Sequence, residues 1–210
     1  MTTTYQEVLR HMTGHNNGQP LTLTWQANFT PVRQPREGNA DAFTHVDFPA
    51  SYTFSSRADA HGKHRLSNVR VRVNMNRNLS WYVTGRDTPL LLRHEQGHYN
   101  ISFLIARELC YQLLTLEWDH SVLDAINEGR PDQIVQRLRT DAARLVAEAQ
   151  AAVTATNLLY DDSNMGTKNP DGTINAQAQV RWEGMIQHSI QTNTPLQILI
   201  PMTGGNPRNW

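Results

Sequence analysis

Apolar positions alternate in the first part of the chain and recur at helical spacing in the second. Leu21-Thr22-Leu23-Thr24-Trp25 has a period of two, which predicts a strand. Val46, Phe48, Tyr52 and Phe54 keep even spacing across 44–55, but Pro49 interrupts them, so this run predicts two strands or one bulged strand. Residues 68–75, Asn-Val-Arg-Val-Arg-Val-Asn-Met, carry the clearest alternation, with valines to one face and arginines to the other. A further strand is expected over 79–84, closed by Gly85 and the turn at Asp87-Thr88-Pro89. The proline-rich 31–39 and the polar 57–67 read as connections.

From Pro89 the period changes. Leu91, Leu92, Ile101, Leu104, Ile105, Leu109, Leu113, Leu114 and Leu116 fall on a helical repeat, with Pro89 in the first turn and Thr88 or Asp87 as N-cap. The helix is expected to bend near Asp119, where Ser121 with Asp124 forms a weaker capping signal. Gly129-Arg130-Pro131 ends it. A second long helix follows from Asp132 to about Leu159, then a shorter one over 176–190 and a strand over 196–201. A short helix over 5–12 and the turn-rich 14–20 open the chain. Strands first and helices afterwards predict an α+β fold. The division expected is an extension over 1–19, one domain over 20–192 and a strand with a tail over 193–210. Within the domain, 20–87 forms a small, mostly antiparallel sheet and 88–192 a helical part.

Composition narrows the function. The 210 residues suffice for one core, and 19 basic against 19 acidic residues, with no long basic run, give no reason to expect a nucleic-acid partner. No apolar run reaches the roughly 18 residues of a membrane span, and the first residues lack the basic start and apolar stretch of an export signal. The expected setting is cytoplasmic. The one cysteine, Cys110, lies within the first long helix and reads as a packed thiol. His11 with His15, and His61 with His64, have metal-compatible spacing but lie in polar segments, and read as solvated histidines.

The chemistry is concentrated in His94-Glu95-Gln96-Gly97-His98, an H-E-x-x-H motif on the predicted helix. Histidines four apart project from one helical face, where both imidazoles can bind one Zn²⁺ with Glu95 beside a metal-activated water. Two histidines are not a catalytic zinc site, and a third protein ligand is required. The extended form of the motif would need glycine at 101 and histidine at 104, where this chain has Ile101 and Leu104. Glu108 lies about 15 Å along a straight helix from His98 and is too far. If the two long helices form an antiparallel hairpin about Gly129, Tyr160 lies opposite His98. The Tyr160-Asp161-Asp162 corner then returns to the motif, with Asp161 as the third ligand and Asp162 as the alternative. Tyr160 or Tyr99 is expected to donate to a developing oxyanion, with a packing role as the other reading. Gly97 either admits a close neighbour or is a tolerated surface glycine.

The run from Leu91 to Ile101, with Ala106-Arg107-Glu108-Leu109, resembles a bacterial domain-of-unknown-function family of predicted, usually secreted, zinc-dependent proteases. Trp25 with Phe29, Ala42 with Thr44, Ser80-Trp81, Tyr160-Asp161 and Gln179-x-x-Trp182-x-x-x-Ile186 also fit it. The resemblance covers roughly 20–190. It implies a zincin-like fold, in which an edge strand lies along a cleft beside an active-site helix and a backing helix, and peptidase activity on a peptide or protein substrate. The family carries a His-Gly shortly after its Tyr-Asp, where this chain has Ser163-Asn164-Met165-Gly166. It therefore implies that Asp161 or Asp162 stands in for a histidine. Two other functions fit the same residues: a non-catalytic binding module on this fold, and a metal-dependent amidase acting on a non-protein substrate.

Overall fold

A computed structural model describes residues 3–54, 59–119, 131–164 and 166–196. In chain order these form α1 (Tyr5–Arg10), β1 (Met12–Thr13), β2 (His15–Asn16), β3 (Gln19–Pro20), α2 (Trp25–Asn28), β4 (Thr30–Val32), β5 (Ala42–Phe43), β6 (Val46–Asp47) and β7 (Ala50–Phe54). There follow β8 (Lys63–Arg72), β9 (Asn74–Met75), β10 (Trp81–Val83), α3 (Pro89–Thr115), β11 (Glu117–Asp119), α4 (Pro131–Asp161) and α5 (Ala176–Thr192). The class is α+β, as the pattern predicts.

The longest strand, β8, is the spine of the larger sheet. Along one edge β7 pairs with it antiparallel. Along the other edge β1 runs parallel near its end, and β11 pairs antiparallel near its start. Ser51 faces Arg70 while Thr53 faces Ser67, so β8 carries one extra residue there. Asn68 absorbs it with φ 53°, the left-handed region that asparagine tolerates. Val69, Val71 and Val73 point inward and are buried, while Arg70 and Arg72 are exposed. A second sheet has the order β4-β10-β5, leaving β5 at an edge. The β-structure is mostly antiparallel but divided among small sheets rather than gathered in one.

Helix α3 runs through the middle of the molecule, against β8 on one side and α1, α4 and α5 on others. This explains why residues 101–107 are all buried: a helix covered all round is apolar all round. The one charge among them, Arg107, donates to Ser189 O at 3.0 Å and to Asn193 Oδ1 at 3.3 Å. Cys110 is fully buried.

Four expectations change. Residues 21–24 are not a strand. The Gln96 side chain takes up their backbone, accepting from Leu23 N at 2.7 Å and donating to Leu21 O at 2.9 Å. Thr24 then caps α2. The extension expected over 1–19 packs against the rest of the chain: Val8 and Met12 join the main core and β1 pairs with β8. Helix α3 stops at Thr115, and the next three residues leave it to pair with β8, where hydrogen bonding to a sheet edge replaces further helix. His64 is buried in β8 rather than solvated, while His11 and His15 are half-buried, each bonded to a backbone carbonyl, at 2.9 and 3.1 Å. The expected capping signal at Ser121, most of the strand over 196–201 and the tail lie outside the described residues. Among the described residues no helix is long and apolar enough to cross a membrane.

Candidate metal centre

Helix α3 begins at a well-made cap. Thr88 Oγ1 accepts from Leu91 N at 3.1 Å, and Pro89 occupies the first turn. This sets the phase that turns His94 and His98 toward α4. The end of α4 comes back to the same point. Asp161 Oδ1 is 3.0 Å from His94 Nε2 and 3.4 Å from His98 Nε2, and the two Nε2 atoms are 3.3 Å apart. His94 is buried, and the His98 side chain is 13% exposed. His94, Glu95 and His98 form a buried group that could hold a metal ion.

The second nitrogen of each ring is already engaged. Thr167 Oγ1 donates to Tyr160 O at 2.7 Å, so it accepts from His94 Nδ1 at 3.0 Å. Asn157 Oδ1 accepts from His98 Nδ1 at 2.9 Å. In the neutral rings both Nε2 atoms are therefore left with lone pairs, aimed at the same place as a carboxylate oxygen. Three acceptors facing one another without a proton between them suit a cation. Burial pushes the Asp161 carboxyl up, but its contacts with the two imidazoles and the nearby Lys168 charge outweigh it and hold it well below the ordinary range. Burial pulls His98 down, while the negative charges of Asp161 and Glu95 beside it raise it further than that, so the group as a whole favours a positive charge at its centre, which a bound cation supplies with both rings neutral. Lys168 Nζ lies 2.9 Å from Asp161 Oδ1.

Glu95 is held separately. Thr44 Oγ1 donates to Glu95 Oε2 at 2.6 Å. Thr44 sits between β5 and β6, in a segment fixed by Ser80, whose Oγ accepts from His45 N at 2.9 Å. Two cavities, of about 360 and 460 Å³, flank the carboxylate. Both are bordered by Ala40, Ala42, Glu95 and Lys168, so the edge strand β5 runs beside a passage that has Glu95 in its wall. The smaller side adds Phe43, Val46, Val153 and Leu158, and the larger adds Asp41 and Arg86.

Tyr160 is brought to the motif but not to the passage. It is fully buried and stacked on His94, with ring centres 4.9 Å apart. Its Oη accepts from Gln179 Nε2 at 2.7 Å and donates to His94 O at 3.3 Å. Burial drives its phenol far above the ordinary range. Where the sequence offered an oxyanion donor, the ring packs against His94 with its hydroxyl already paired. Tyr99 fares no better: its Oη donates to Gly14 O at 2.7 Å, in the core. The close neighbour admitted by Gly97 is the Tyr160 phenol, since a Cβ there would lie 2.0 Å from Oη. Glu108 turns to Tyr5, whose Oη donates to Glu108 Oε2 at 3.3 Å. Asp162 accepts from Asn164 N at 2.7 Å and closes a turn. His188 is exposed on α5.

Three residues at the site, Asn157, Thr167 and Lys168, are marked by nothing in the sequence pattern, and Thr44 enters only through the resemblance, with no role. The signal that could have found Asn157 is its place one helical turn before Asp161 on the same face. Thr167 and Lys168 lie in a loop with no periodicity to reveal them. Comparison of the chain with protein-family models, with curated proteins and with solved structures gave no match.

Proposed function

We propose that this protein is a zinc-dependent metallopeptidase, with His94, His98 and Asp161 holding the metal and Glu95 as general base. One observation carries the reading: three lone-pair atoms on α3 and α4 lie 3.0, 3.3 and 3.4 Å from one another. Ligands at zinc's usual distance of about 2.0–2.1 Å, set at tetrahedral angles, are about 3.3 Å apart. When bound, zinc would supply a Lewis acid that acidifies a water and polarises a carbonyl.

The chain's own groups do the rest. Thr44 holds one oxygen of Glu95, leaving the other to take a proton from the attacking water. The same carboxyl then hands that proton to the leaving nitrogen as the C–N bond breaks. Thr167 and Asn157 fix the two imidazoles in the tautomer that ligation needs. The edge of β5 beside the passage favours an extended peptide, which can add to a sheet edge through its backbone. This arrangement of base and edge strand favours a peptidase over a purely metal-stabilised binding module, for which Glu95 has no use.

Metal analysis and a mixed peptide library test the reading together. Glu95→Gln should retain zinc at wild-type stoichiometry and lose cleavage. Asp161→Ala should lose zinc, and Asp162→Ala should keep it. Full zinc in Asp161→Ala would remove Asp161 from the site, and a zinc-loaded wild type that cleaves nothing in the library would end the peptidase reading.

A further inference from the structure

We propose that Lys168 is the cationic donor to the negative charge that develops on the substrate's carbonyl oxygen. This rests on the peptidase reading above. Hydrolysis at this site needs such a donor beside the metal, and the two candidate tyrosines are spent in the core. Lys168 borders both cavities, as Glu95 does, and its Nζ lies 2.9 Å from the Asp161 oxygen that also faces the two histidines.

Its backbone is fixed by the same loop that orients His94. Thr167 is fully buried, its N–H donates to Tyr160 O at 2.7 Å, and its carbonyl accepts from Asn175 N at 2.7 Å. Lys168 itself forms an antiparallel bridge with Ile174. Only the flexible stem is free to choose a partner, and the side chain is 28% exposed. Asp161 Oδ1 cannot serve a divalent cation and the ammonium equally. A cation among the three ligand atoms takes over the carboxylate's charge and repels Nζ. The four-carbon stem then swings the ammonium toward the passage.

The bonding changes leave Lys168 protonated throughout. The water oxygen bonds to the carbonyl carbon, the C=O electron pair moves onto oxygen, and Glu95 takes the water's proton. Lys168 donates a hydrogen bond to that oxygen. The pair then returns, the C–N bond breaks, and the nitrogen takes the proton from Glu95.

The test uses the full chain with Lys168→Met and Lys168→Arg. It measures kcat and KM on a peptide that the wild type cleaves, and zinc affinity by competition with a chromophoric chelator. Lys168→Met should lower kcat by about 10²–10³-fold, leave KM within about threefold, and bind zinc at least as tightly as wild type. Lys168→Arg should recover most of the lost kcat. An unchanged kcat in Lys168→Met overturns the proposal, as does a rise in KM alone. Loss of zinc from Lys168→Met also overturns it, because Lys168 would then be a support for Asp161. His45 stands in the same wall, bonded to Asp47 at 3.0 Å. If His45→Gln carries the fall in kcat while Lys168→Met does not, the role belongs to His45. Failure of the peptidase reading shows in the wild type itself, whereas failure here shows only in the variants, against an active wild type.

Discussion

Replacing Gly97 by alanine would set a Cβ 2.0 Å from Tyr160 Oη and 2.4 Å from Tyr160 Cζ. The ring has no room to retreat, being stacked on His94 and edge-on to Trp182 at 5.1 Å. Alanine is the better helix former by about 1 kcal/mol, yet overpacking a filled core costs about 1–3 kcal/mol. Gly97→Ala should therefore lower stability by up to about 2 kcal/mol, read from the urea midpoint at constant slope, and weaken zinc binding by tilting His94. A gain in stability would show that Tyr160 can yield. Cys110 makes the opposite case, a residue whose chemistry is suppressed by its place. Burial pushes its thiol up to about 12, so the thiolate is scarcer at pH 8 than in a free cysteine. Iodoacetamide should leave the native protein unlabelled and modify Cys110 fully in denaturant. The motif residues His94, Glu95 and His98 were legible as types and spacing alone. Thr44 and Lys168 were not, because their roles depend on distance in space.

At the scale of elements, the cap of α3 is worth testing because it sets the phase of the whole site. Thr88→Ala removes the acceptor for Leu91 N and should cost about 1 kcal/mol. Thermal melts should show the loss, whereas Thr88→Ser should be close to wild type. A cost below about 0.3 kcal/mol would mean that Pro89 and packing suffice to start the helix. The pairing of α3 with α4 was readable from equal distances about the connection: His98 meets Asn157, Tyr160 and Asp161, all within one turn of the predicted opposite, Tyr160. It survives even though α3 ends at Thr115, because the site lies at the far end of the hairpin from that change. The segment 21–24 was misread for a local reason. Its alternation is genuine, but the Gln96 side chain satisfies its backbone in place of a neighbouring strand.

For the molecule as a whole, the site joins two helices and a loop that are distant in sequence, so metal and fold should be coupled. Zinc at a hundredfold excess over its Kd should add about 2.7 kcal/mol, which for a chain of this size raises Tm by about 5–10 °C. Chelation should reverse it, and Asp161→Ala should show neither change. An unmoved Tm in zinc-loaded wild type would mean that the ligand atoms are equally available in the unfolded chain. The amino-acid pattern determined the α+β class, the valine face of β8, the long helices and the motif that one face of α3 presents. These follow from periodicity and capping, which act over a few residues. Only the tertiary structure decided that Tyr160 is a wedge beneath His94, that Thr44 holds Glu95, that Val8 and Met12 join the core, and that Lys168 shares the Asp161 oxygen facing the two histidines. Each of these depends on chain segments meeting across the core, and no short-range pattern records which segments meet. The five residues of the motif offer two imidazoles and a carboxylate that could hold a metal ion, and packing brings Asp161 and the partners of the rings to them.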